Sequence, residues 1–192
     1  MTVFRRAIPL VLLALVLAGC AAPAAPTPQS PTSPTAPASA GPARSLPSAL
    51  DVPAIGAQSS LVPLGLNPDR TVEVPPVDQP LQAGWYEYGP APGEAGPAVI
   101  LGHIDGGHRK GIFWRLHELK PGEEVYVDRA DGGRLTFAVT KVEQVAKDAF
   151  PTEAVYGDTP DPQLRLITCG GRYDAANRNY LDNVIAYAEL KR

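Results

Sequence analysis

Leu164-Arg165-Leu166-Ile167-Thr168-Cys169-Gly170-Gly171 is a largely apolar run that ends on a thiol and a glycine pair. A second stretch has the same form: Val99-Ile100-Leu101-Gly102-His103, with Gly106 and Gly107 close behind. Both are short and partly β-branched, as strands near a core should be. Two strand ends of one form, one carrying Cys and the other His, could be neighbours in a barrel. Glycines after such a residue let the backbone open and let a peptide approach the main chain.

Working outward, further candidate strands are residues 50–55, 61–66, 71–74, 124–127, 135–145 and 183–189. Leu135-Thr136-Phe137-Ala138-Val139 alternates, as a half-buried strand does. Turn chemistry separates the runs at Asn67-Pro68-Asp69, Pro90 to Gly93, Lys120-Pro121-Gly122 and Asp131-Gly132-Gly133. Helical signals are short: residues 113–119, and Thr152 to Tyr156 with Thr152 as the expected cap. The expected fold is mainly all-β, a closed barrel or sandwich with one or two short helices.

The rest of the chain divides in two. Met1 to Cys20 has a basic head, Arg5 and Arg6, and an apolar run from Ala7 to Ala18. That run is shorter than the roughly 20 residues a spanning helix needs, and it reads as a secretory signal. Residues 21–45 are Ala, Pro, Ser or Thr except for Gln29, Gly41 and Arg44. Such a segment buries no core and is expected to be a disordered tether, with extended stretches that could reach roughly 75 Å at ~3.1 Å per residue. Residues 46–192 are left as one domain. Formal charge is -3, with no basic stripe, which argues against a nucleic-acid partner.

The chain has two cysteines, Cys20 and Cys169. A lone thiol in an exported domain is either inert in the core or kept for its reactivity. The strand ends favour the second, because Cys and His within reach are the minimum for covalent acyl transfer. His108 and His117 lie in polar, exposed stretches. Arg178, in the loop Ala175 to Tyr180, could hold a carbonyl or an oxyanion.

These segments resemble the sortases, most of all the group called class F. The family's cysteine motif reads Thr-Leu-x-Thr-Cys, and here it is Arg165-Leu166-Ile167-Thr168-Cys169. Arg165 departs from the motif at a position off the reacting centre. Val52 to Gly56, Gly84-Trp85-Tyr86, Pro92 to Asp105, Leu116 to Val127 and Asp182 to Ala188 also resemble the class, so the likeness covers about residues 48–190. It implies an eight-stranded barrel without a metal or other cofactor. It implies Cys169 as nucleophile, His103 as acid and base, and Arg178 as oxyanion partner, with Arg172 as the alternative arginine. The substrates implied are proteins bearing a Leu-Pro-x-Thr-Gly-like sorting signal, joined to an amine of the cell wall or of a pilin lysine.

Leu17-Ala18-Gly19-Cys20 resembles the lipobox of bacterial lipoproteins. That resemblance implies lipidation of Cys20, cleavage before it, and a domain held to the membrane on the envelope side. Sortases more commonly carry a transmembrane anchor. Two other classes stay open: another exported cysteine enzyme, and a peptide- or glycan-binding module on the same barrel. A Ser-His-Gly-Cys motif, with His close before Cys, marks the L,D-transpeptidases, and no His lies near Cys169 in sequence.

Overall fold

The structure, a computed structural model, describes residues 44–192. Residues 1–43, which include the expected signal segment, Cys20 and most of the expected tether, lie outside the described residues. Among the described residues, no helix is long and apolar enough to cross a membrane.

Eight strands close a barrel. β1 (Pro47–Val52) pairs with β2 (Ala57–Leu64) across a tight 3-10 turn that Gly56 ends with φ 66. β3 (Ala83–Tyr86) runs parallel to β2 and antiparallel to β4 (Gly96–Gly102). A small hairpin follows, β5 (Asp105–Gly106) and β6 (Arg109–Lys110), outside the barrel sheet. β7 (Glu124–Arg129) and β8 (Arg134–Ala146) form the next antiparallel pair, and β7 returns to β1. The helix α1 (Thr152–Tyr156) precedes β9 (Pro162–Asp174), which pairs parallel with β4 and antiparallel with β10 (Asn179–Leu190). β10 then closes on β8, giving the order β1-β2-β3-β4-β9-β10-β8-β7.

Period-2 alternation sets the core. Leu50 and Val52, Ala98 and Ile100, Val125 and Val127, Phe137 and Val139, Leu164 and Leu166, and Val184 and Ala186 all belong to the central cluster. Phe113 and Leu116 from the β6–β7 connection join it fully buried. The alternate positions Val99, Ile167, Ile185 and Tyr187 point outward and pack under Val155 of α1 in a second cluster. The barrel wall between β4, β9 and β10 is therefore buried on both faces, which explains the near-continuous apolar runs there.

Arg165 lies on that outer face and is only 4% exposed. Its guanidinium donates to the carbonyls of Ala154 (3.1 Å) and Leu164 (3.1 Å) and stacks 4.6 Å from the Tyr187 ring centroid. Burial pulls its pKa down from the usual arginine range. The residue that departs from the cysteine motif thus ties α1 to the barrel. Arg165→Ala is expected to destabilise the fold by about 2 kcal/mol, from lost hydrogen bonds and lost stem packing. Chemical denaturation of the two proteins checks this.

Several expectations change in detail. Thr71 to Val74 is no strand, and only Val72 bridges, to Leu66. Its residues are mostly exposed, so nothing holds a longer ladder. Thr152 does not cap α1, because Pro151 occupies the cap position and no side chain bonds there. β3 was not among the candidate strands. Its Gly84 fits where a Cβ would strike the Leu64 side chain, so the close approach of β2 and β3 requires glycine there. Residues 113–119 contain only a 3-10 turn, Leu116–Glu118. Arg44, assigned by composition to the tether, donates to the Glu87 and Gly89 carbonyls at 3.2 and 2.9 Å and sits over Trp85.

Candidate active site

The β4–β9 ladder runs Val99↔Arg165, Ile100↔Leu166, Leu101↔Ile167. Continuing that register by one side-chain period sets His103 beside Cys169. Val99 and Ile167 already share the outer cluster, so alternation turns His103 and Cys169 to that same outer side. The two runs of like form are neighbours and run in parallel.

A groove of about 930 Å³ opens at this point. His103, Cys169 and Arg178 all line it, with Asp105, Asn179 and Tyr180. Cys169 is a free, half-buried thiol. Arg172 is exposed and does not line the groove, though His108 does. His117 is exposed and lies away from it.

Cys169 is not a strand end. β9 continues through Gly170 and Gly171 to Asp174. The pairing shifts register between Gly170↔Asp182 and Tyr173↔Tyr180, a bulge with Gly171 at φ 71. A Cβ on Gly171 would strike the Asp182 carboxylate. Glycine is required there twice over, by the left-handed backbone and by the close approach. The bulge leads into the β9–β10 turn, where Arg178 takes φ 51. A bulge and a turn thus bring the arginine back to the groove.

The histidine is held from the opposite side. Gly111 passes against the His103 carbonyl so closely that no side chain would fit, and Phe113 N–H donates to that carbonyl at 3.0 Å. His103 Nε2 lies 2.6 Å from the Pro75 carbonyl. A carbonyl only accepts, so Nε2 carries a proton, and Nδ1 is the nitrogen left to give and take one.

Two further contacts cross the site. The Tyr180 hydroxyl donates to Asp105 Oδ2 at 2.5 Å and its ring meets Tyr173 edge-on at 5.1 Å. This ties the segment after His103 to the hairpin after Cys169. The Asp105 hydrogen bond, with smaller help from burial, pushes the Tyr180 phenol up to about 12. A raised folded-state pKa means the tie stabilises fully below the free phenol's pKa and is lost as pH rises through about 12. In Asp105→Ala the Tyr180 midpoint, followed by ultraviolet titration, is expected to fall toward about 10. On the other flank, Lys147 Nζ lies 3.7 Å from Cys169 Sγ.

The three residues singled out in the sequence, Cys169, His103 and Arg178, line one groove, while Pro75, Lys147 and the Asp105–Tyr180 pair, which touch the same place, were not singled out. Asp105 and Tyr180 stand beside residues already singled out, but no spacing rule pairs them. Pro75 and Lys147 reach the site from distant segments and carry no local signal. Among the described residues, no group of three or more His, Cys, Asp or Glu side chains converges as a metal site would.

A thiol, an imidazole and a guanidinium around one groove are groups that can carry out covalent acyl transfer. The family model described as "Sortase domain" matches residues 50–191. Among solved structures, a lid mutant of sortase A from Corynebacterium diphtheriae has a TM-score of 0.58 at 20% identity, covering 75% of this chain and 69% of that one. Sortase C1 of Streptococcus agalactiae, in a complex with MTSET, has a TM-score of 0.58 at 17% identity, covering 78% and 68%. A sortase D5 transpeptidase from Clostridium perfringens has a TM-score of 0.54 at 18% identity, covering 75% and 78%. At such identities the likeness is one of fold. No curated protein matches the chain in sequence.

Proposed function

Since the chain belongs to the sortase family, we propose that it is an extracytoplasmic cysteine transpeptidase in which Cys169, His103 and Arg178 do the chemistry. The observation that carries this reading is that His103, Cys169 and Arg178 line one groove, next to the parallel pair of strands β4 and β9.

The substrate is a Leu-Pro-x-Thr-Gly-like sorting signal. Cys169 Sγ, as thiolate, attacks the carbonyl carbon of the Thr-Gly bond. The carbonyl oxygen becomes an oxyanion, which Arg178 stabilises. As the C–N bond breaks, His103 Nδ1 gives its proton to the departing glycine amine. A thioester remains on Cys169. An amine of a cell-wall peptide or a pilin lysine then attacks the thioester carbon, His103 takes its proton, and the thiolate leaves. Cysteine suits both halves, being a good nucleophile and a good leaving group in one atom. Hydrolysis of the thioester by water is the side reaction. The segments Val52 to Gly56 and Pro92 to Asp105, which resemble class F, support that class within the family.

The same reading extends to the membrane. Cys20, lipidated after export, holds the mature protein at the envelope face, and the Pro-rich tether spaces the domain from the lipid. Cys20→Ala is expected to lose metabolic labelling by a fatty-acid analogue and to accumulate as uncleaved precursor. Labelling equal to wild type would count against a lipoprotein.

A thiol probe tests the enzymatic reading as a whole. Cys169 should react with it, and a sorting-signal peptide should protect the thiol. A reactive Cys169 that no sorting-signal peptide protects would point instead to another exported cysteine enzyme.

A further inference from the structure

Lys147 has no part in the chemistry above, yet its ammonium sits beside the reacting sulfur. It opens the short turn Lys147–Ala149 that follows β8. Its Nζ lies 3.7 Å from Cys169 Sγ and donates to Asn179 Oδ1 at 2.6 Å. Among the described residues, no carboxylate forms an ion pair with it. The charge is thus aimed at the sulfur and the neutral amide, not spent on a neighbouring acid.

We propose that Lys147 is a further catalytic residue, whose ammonium holds the Cys169 sulfur in the anionic form from which it attacks. This rests on the reading of Cys169 as the nucleophile. An opposite unit charge at this distance favours an anion several-fold even beside water, and more beside low-dielectric protein. Asn179 accepts one of the three ammonium N–H bonds and fixes the direction of the rest. Asn179 follows Arg178 directly, so one hairpin carries the oxyanion partner and steadies the lysine. The thiol proton passes to the His103 imidazole, and the ammonium keeps its own three throughout. Arg178 stays free for the carbonyl oxygen, and the Asp105 carboxylate on the facing wall is engaged by Tyr180.

Alkylation of the full-length protein by iodoacetamide at neutral pH tests this, because the reagent is uncharged and reads thiolate content. Lys147→Met is expected to slow alkylation of Cys169 about tenfold. Lys147→Arg should keep most of the wild-type rate, since the positive charge remains. Thermal melting checks the fold of each variant, and Lys147→Gln stands in if the Met variant melts early. A wild-type alkylation rate without the lysine charge overturns the proposal. So does Lys147→Arg being as slow as Lys147→Met, because charge would then not be what matters. The underlying reading fails separately, if Cys169→Ala still transfers peptide.

Discussion

Cys169→Ala is expected to abolish cleavage and transfer of a sorting-signal peptide, because no other cysteine lies in residues 44–192. His103→Ala should nearly abolish both, since the leaving amine would depart without its proton. The two losses should not add in the double mutant. Groups that act as one unit fail together once any member is removed. Both side chains are half-buried and lie at the rim of the barrel, so neither removal opens a large cavity. Circular dichroism of the two variants should match wild type. Peptide turnover followed by chromatography reads the effect. Transfer by Cys169→Ala would sink the transpeptidase reading outright.

Arg178→Ala should slow turnover by about 10²–10³, the cost of removing one oxyanion donor. Arg178→Lys should recover little, because a point charge does not reproduce the planar fork of a guanidinium. Arg172→Ala is the control and should be mild. The two arginines are close in sequence, but Arg172 is exposed and off the groove while Arg178 lines it. The bulge at Gly171 and the left-handed turn at Arg178 separate their fates. If Arg172→Ala is dead and Arg178→Ala active, the assignment of the arginine is wrong while the family stands.

Those arginines also show how far the sequence was legible. The two parallel runs could be read directly, because near-continuous apolar residues mark a wall buried on both faces, and that wall is what β4 and β9 share with β10. The proposed Cys169–His103 pair followed from the likeness of the two runs. The continuation of β9 beyond Cys169 was not legible. A glycine pair reads as a strand terminator, and only the partner strand shows that Gly171 makes a bulge inside a longer ladder. Nor was β3, only four residues long, in which Gly84 packs beneath Leu64. The reverse error occurred at residues 71–74, which have strand-like residues but almost no partner to pair with. Lys147 lay beyond sequence reasoning altogether. Its approach to Cys169 depends on where β8 ends relative to β10, a long-range register that no short window contains.

The central claim is that Cys169 forms a thioester with the acyl half of a sorting signal. Mass spectrometry of acid-quenched reactions with a Leu-Pro-x-Thr-Gly peptide tests it most directly. The account predicts an acyl adduct on the peptide fragment that carries Cys169, released by hydroxylamine and absent from Cys169→Ala. Cleavage of the signal with the adduct on another residue, or with none in wild type under conditions that trap thioesters, would contradict it.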